Sequence, residues 1–176
     1  HFVRPGTTLD DEAYSRGTSV YFPRHVVPML PGILSNGVCS LQEGVKRFTK
    51  TAFIDYDDNG DIVRTKLCES VIQSSKRLTY EEAQGIIDGQ VEQYSKPVVS
   101  LVQRMNTLAK KIEARRTKMG MLHLMLPEIE LVLDDNGKVV DAAPSDSSYT
   151  HKIIEMFMVE ANEAVAKFFF DKEIPI

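Results

Sequence analysis

The sequence predicts an α+β fold: antiparallel β-sheet with hairpins, packed by several α-helices. Three observations carry that expectation. Two β-rich runs flank Asp58-Asn59-Gly60, and a second pair flanks Asp135-Asn136-Gly137; Asn and Gly tolerate the positive φ that tight hairpin turns demand. Two long segments near the middle and the end carry apolar residues at helical spacing. Strand–helix–strand alternation is missing, which argues against a parallel sheet with crossover helices.

Taken in order, Thr8 is placed to cap a short helix over 9–16, with Asp11 three residues on and Gly17 at the exit. Ser19 to Phe22 reads as a brief strand running into Pro23. Prolines and glycines punctuate 23–47, yet Val26-Val27-Pro28-Met29-Leu30-Pro31 is too apolar for a solvated loop. It is expected to pack onto a surface or line a cleft. Phe48–Tyr56 and Ile62–Ile72 form the first long hairpin. Thr79-Tyr80-Glu81-Glu82 is a capping box that opens a helix to about Asp88. Val98, Leu101, Val102, Met105, Leu108, Ala109, Ile112 and Met119 share one stripe of a long helix that Gly120 ends. Glu128–Leu133 and Lys138–Ala142 form the second hairpin. Ile153, Ile154, Phe157, Met158, Ala161, Val165 and Phe168 define a last amphipathic helix starting at Ser147 or Ser148.

At 176 residues the chain is one domain, long enough to hide roughly 70% of its unfolded surface. Its 43% hydrophobic and 26% charged residues exclude a disordered tail, a fibre and a disulfide scaffold. No window approaches the ~18 apolar residues of a membrane span. Cys39 and Cys68 sit in no metal or redox motif and read as small buried side chains of a reducing cytosol, with a disulfide as the lesser alternative. The net charge of −4 hides an asymmetry: residues 96–118 hold seven Lys and Arg against Glu113 alone. Such a stretch either binds a polyanion or is a solvated helix face balanced by acidic neighbours; charge alone favours the second.

The chemical motifs thin out quickly. Asp55-x-Asp57-x-Asn59-Gly60 imitates the start of a calcium loop, but Lys66 stands where the bidentate Glu belongs. The glycines of 32–44 have the wrong spacing for a phosphate loop. His1, His25, His123 and His151 are too scattered for zinc. Tyr21 and Phe22 beside Arg24 and His25 place aromatic rings next to cations, the ingredients for gripping single-stranded nucleic acid; the plainer reading puts one ring in the core. Glu155 lies near the apolar stripe of the last helix, as a partly buried carboxylate or the edge of the solvated face.

Longer blocks then carry a resemblance. Phe2-Val3-Arg4-Pro5-Gly6-Thr7-Thr8-Leu9-Asp10, Arg16-Gly17-Thr18-Ser19-Val20-Tyr21-Phe22-Pro23, and Pro28-Met29-Leu30-Pro31 with Leu34-Ser35-Asn36-Gly37-Val38-Cys39-Ser40-Leu41 resemble the RNB domain of the ribonuclease II / ribonuclease R family. Arg77-Leu78-Thr79-Tyr80-Glu81-Glu82, Arg116 with Gly120, and Ile154-Glu155 through Ala166 continue it in order along essentially the whole chain.

The resemblance implies a processive 3′→5′ exoribonuclease that hydrolyses single-stranded RNA to nucleoside monophosphates by a two-magnesium mechanism. It implies a cytoplasmic, monomeric parent enzyme, with single-stranded RNA as its partner and no membrane. Residues 1–176 correspond to the central part of the catalytic domain, truncated at both ends. The family's metal-binding aspartates precede the segment matching Phe2-Val3-Arg4-Pro5-Gly6, so Mg2+ is implied for the complete domain with its ligands absent here. No catalytic residue is carried over, and the chain alone is expected to be inactive. Tyr21 matches the aromatic that packs on a terminal base. His123 falls where some relatives place a Phe that clamps the terminal bases from the other side, and an imidazole also stacks on bases. Glu155 matches a Glu that contacts RNA near the catalytic centre. The alternative is a stand-alone, non-catalytic RNA-binding or scaffold protein with a degenerate RNB domain.

Overall fold

A computed structural model describes residues 2–122, 129–144 and 148–175. Thr7, one residue before the expected cap, accepts from the Asp10 amide and starts helix α1 (Thr8–Arg16). Gly17, at φ 66°, ends it. Strands β1 (Val20–Phe22) and β2 (His25–Val27) form a small hairpin, with Tyr21 opposite Val26. Residues Ile33–Val38, where prolines and glycines predict only punctuated chain, wind into a π-helical turn. Strands β3 (Lys46–Tyr56) and β4 (Ile62–Gln73) pair over their whole length, from Lys46 opposite Gln73 to Tyr56 opposite Ile62.

Thr79 and Glu82 complete the expected capping box of α2 (Tyr80–Ile87), and α3 runs Lys96–Lys118. The second long-loop hairpin is β5 (Ile129–Leu133) with β6 (Val139–Pro144), and α4 spans Tyr149–Phe170. Ser148 stands at the start of α4, and Ser147 and Glu128 lie outside the described residues. The described strands make three separate two-stranded antiparallel sheets. The class is therefore α+β, with hairpins that do not merge.

The core sits between α3 and α4. Ala109, Ile112, Ile153 and Met156 are buried there, and Tyr56, Met105, Leu108 and Phe157 pack around them. The stripe read for α3 is only partly covered: Leu101 is 51% and Met119 79% exposed. On α4 the buried line is Thr150, Ile153, Met156, Glu160 and Ala164, while Met158 is 60% exposed. Helix α4 thus has apolar residues on two sides, and the described residues cover one.

The surface area makes the same point. The chain exposes 13,775 Å², against about 8,600 Å² for a compact monomer of this mass. Roughly half of the unfolded surface is hidden rather than ~70%. The cysteines depart from expectation too: Cys39 is exposed, Cys68 is half-buried, and neither forms a disulfide.

Candidate functional site

Tyr21 stands on the short β1–β2 hairpin with its side chain 77% exposed, and its neighbour Phe22 is 56% exposed. Neither ring is core, because three-residue strands with no sheet behind them have nothing to bury a ring against. The open end of this hairpin is tied to its surroundings. The Ser19 hydroxyl accepts from the Met29 amide at 2.9 Å, and the Arg16 guanidinium donates to the Pro28 carbonyl at 2.9 Å. Those bonds hold Pro28–Leu30 half-buried beside the hairpin.

Glu155 lies on the exposed side of α4, where Lys152 donates to it at 2.7 Å. It sits one helical turn after His151, whose ring stacks on Tyr80 at 3.6 Å between centroids and 21° between planes. This aromatic pair was missed in the sequence, since Tyr80 and His151 are 71 positions apart and belong to different helices. Thr150 donates its hydroxyl to the Tyr80 carbonyl at 3.1 Å and locks the two helix starts together. His123 lies outside the described residues.

The buried carboxylate of α4 is Glu160, not Glu155. Its side chain is fully buried. Arg115 Nη2 reaches its two oxygens at 2.5 and 2.6 Å, Arg116 Nη1 reaches Oε1 at 3.0 Å, and the Tyr56 hydroxyl donates to Oε2 at 2.9 Å. Arg116 also bonds Glu163 at 2.8 Å. Burial, followed by the hydrogen bond to Glu160, pushes the Tyr56 phenol well above its ordinary value. The guanidinium of Arg116 holds the Glu163 carboxyl below its usual range.

Four of the seven cations of α3 have partners among the described residues. Arg115 also donates to the Gly60 carbonyl and Lys111 to that of Asp58, each at 2.7 Å, and Lys110 lies 5.5 Å from the centre of the Tyr149 ring. The turn comes so close to α3 that a Cβ on Gly60 would lie 2.9 Å from Lys111 Cβ, and Gly60 has φ +86° besides. Charge alone favours a solvated face, but Arg115 and Arg116 are largely buried on Glu160, so that end of the basic stretch is structural. The sequence held a signal for Glu160: it falls seven residues after Ile153, in line with the buried side chains of α4.

The π-helical turn is gripped by Arg47 at the start of β3. Its guanidinium donates to the Ser40 carbonyl at 2.9 Å, the Gly37 carbonyl at 3.2 Å and Gln42 Oε1 at 3.1 Å. Gln42 in turn donates to the Asn36 carbonyl at 2.9 Å. π-Helical turns recur at functional sites, and this one contains most of the Leu34–Leu41 block.

Asp55 and Asp57 are already occupied. Asp57 accepts from the Asn59 and Asp61 amides at 2.8 and 2.9 Å, and Asp55 pairs with Arg64 at 2.7 Å, so the calcium-like segment is a hairpin turn. Among the described residues no group of three His, Cys, Asp or Glu side chains is arranged to hold a metal ion. No described helix is long and apolar enough to cross a membrane.

The pattern of the RNB domain matches residues 1–176. The chain belongs to the RNB domain family. Ribonuclease R of Thermotoga maritima is 40% identical over 99% of this chain and 25% of its own length. Ribonuclease R of Chlamydia pneumoniae is 37% identical over 94% of the chain and 24% of its own length. Among solved structures, Mycoplasma genitalium RNase R in complex with ribose-methylated single-stranded RNA superposes with a TM-score of 0.93 at 32% identity, covering 99% of this chain and 27% of that one. This RNB chain thus spans about a quarter of the length of the relatives it matches. The α+β class is shared with them.

Proposed function

We propose that this RNB segment is the central part of the catalytic domain of a 3′→5′ exoribonuclease that hydrolyses single-stranded RNA to nucleoside monophosphates. The observation that carries the reading is the match of the whole chain to the RNB domain, with a TM-score of 0.93 to an RNase R holding single-stranded RNA. Tyr21, His123 and Glu155 are the RNA-contacting residues in this reading. The exposed Tyr21 ring offers a face for a base. Glu155 stands beside the Tyr80–His151 stack, so a carboxylate that accepts from a ribose hydroxyl has an aromatic surface next to it.

Magnesium chemistry belongs to the proposed reaction, but the described residues do not fit a metal site, and no step through the ions is assigned to them. In this reading the metal-holding aspartates are supplied from outside residues 1–176, and the reaction runs in the cytoplasm of a monomeric enzyme. Two assays test it. The whole protein bearing this sequence, given 5′-labelled single-stranded RNA and magnesium, is expected to shorten it from the 3′ end and release monophosphates. Failure to do so overturns the exoribonuclease reading. A polypeptide of residues 1–176 is expected to show no turnover under the same conditions, and magnesium-dependent release of monophosphates by it would overturn the assignment of the metal site to other residues.

A further inference from the structure

We infer that Arg24 is a positioning residue for Tyr21, acting by pinning the tip of the β1–β2 hairpin to the tip of the β5–β6 hairpin. The inference rests on the reading of Tyr21 as an RNA contact. The two guanidinium nitrogens of Arg24 donate to consecutive carbonyls of the β5–β6 turn, Nη2 to Asp134 and Nη1 to Asp135, the latter at 3.3 Å. These bonds join residues 110 and 111 positions apart.

The receiving turn is itself rigid. Asp134 Oδ1 accepts from the Asn136 amide at 2.9 Å and the Lys138 amide at 2.8 Å. Gly137, at φ +83°, lies under the guanidinium, where an added Cβ would stand 3.6 Å from Arg24 Nη1. The carboxylates of Asp134 and Asp135 add an attractive field for a cation.

The tie matters because of what it holds. A two-stranded hairpin is marginal in water without further support, and this one has only three residues per strand. Its open end is fixed by Ser19 and Arg16. At its tip the described bonds are those of Arg24. Tyr21 sits between the two ends, highly exposed, so its ring is aimed by where the hairpin is held and not by packing. A guanidinium spanning two carbonyls fixes direction as well as distance, which a single ammonium does not.

The test is a double-mutant cycle in the whole protein, with Tyr21→Ala, Arg24→Met and their combination, plus Arg24→Lys. Two quantities are read: affinity for a 3′-labelled single-stranded RNA, and the length of the shortest product left after exhaustive digestion. Arg24→Met is expected to weaken 3′-end binding roughly three- to tenfold and to lengthen the end product in the direction of Tyr21→Ala. The double variant is expected to be no worse than Tyr21→Ala alone, since a residue acting through Tyr21 has nothing left to position. Arg24→Lys, which keeps the charge but loses the paired donors, is expected to fall between. It is read in the same assays, so a folding failure of Arg24→Met does not decide the outcome.

End products and affinity of Arg24→Met and Arg24→Lys equal to wild type, with Tyr21→Ala altered, would overturn the positioning role and leave the RNA reading standing. Full additivity in the cycle would also overturn it. An unaltered Tyr21→Ala would remove the RNA contact and the positioning role together.

Discussion

Truncating Glu160 to Ala tests the account of what holds α3, α4 and β3 together. The carboxylate is fully buried and takes four donor contacts between 2.5 and 3.0 Å. Arg115 and Arg116 keep only 13% and 18% of their side-chain surface exposed. Without Glu160, Arg116 retains Glu163, whereas Arg115 keeps one backbone carbonyl and has lost its carboxylate. Two guanidinium groups then share a largely dry pocket with one neutralising charge at its rim. Removing one partner of a buried ion pair costs about 3–5 kcal/mol. For a domain of this size that is a fall in Tm of roughly 6–20 °C.

The measurement is urea or thermal unfolding followed by far-UV circular dichroism. Replacing the cluster with Arg115→Met, Arg116→Leu and Glu160→Leu together is expected to recover most of the loss, because apolar side chains of similar volume need no counter-charge. A Glu160→Ala variant within about 1 kcal/mol of wild type would show that water reaches the guanidiniums freely, and would refute the reading of this cluster as a dry keystone.

Other expectations are simpler. Burial and the hydrogen bonds to Glu160 and Glu113 raise the phenol pKa of Tyr56 and Tyr149 above 10.0. Native tyrosines that keep their protons while the unfolded chain's ionise give stability that is intact below about pH 10 and lost as pH rises beyond it; Tyr56→Phe is expected to flatten that loss, measured as unfolding free energy against pH, and an unchanged slope would contradict it. Glu163, held low by Arg116, contributes stability above the unfolded carboxylate pKa that disappears as pH falls through its lower folded value, so Glu163→Gln is expected to be less sensitive than wild type below about pH 4.5. Thr79→Ala removes the cap of α2 and is expected to cost about 1 kcal/mol, with Thr79→Ser restoring most of it; a melting curve reads both.

Elements with a local cause were legible. The Asn-Gly turns, the Thr79 capping box and the glycine stops at 17 and 120 each act within four residues, and the elements appear where those signals put them. Features with a distant cause were not. The π-helical turn depends on Arg47 reaching back to residues 37–42. Glu160 shares the register of the buried α4 side chains, but its arginine partners lie on α3 and only the fold brings them to it. Tyr80 and His151 meet only because α2 and α4 start side by side. The cap of α1 shifted from Thr8 to Thr7, since both threonines offer the same hydroxyl and only the φ, ψ of the chain chooses between them. Whole-chain motifs named the family where periodicity could give only a class.

The β3–β4 ribbon is an arm about 37 Å long at ~3.4 Å per residue. Its turn is anchored on α3 through Asp58 and Gly60, and its root holds the π-helical turn through Arg47. The separation between the Glu160 cluster and the Leu34–Leu41 block is thereby set by counting residues along a strand, as the span of a beam is set by its length. Deleting a single residue from either strand would shorten that beam by one step and turn every side chain beyond the cut to the opposite face.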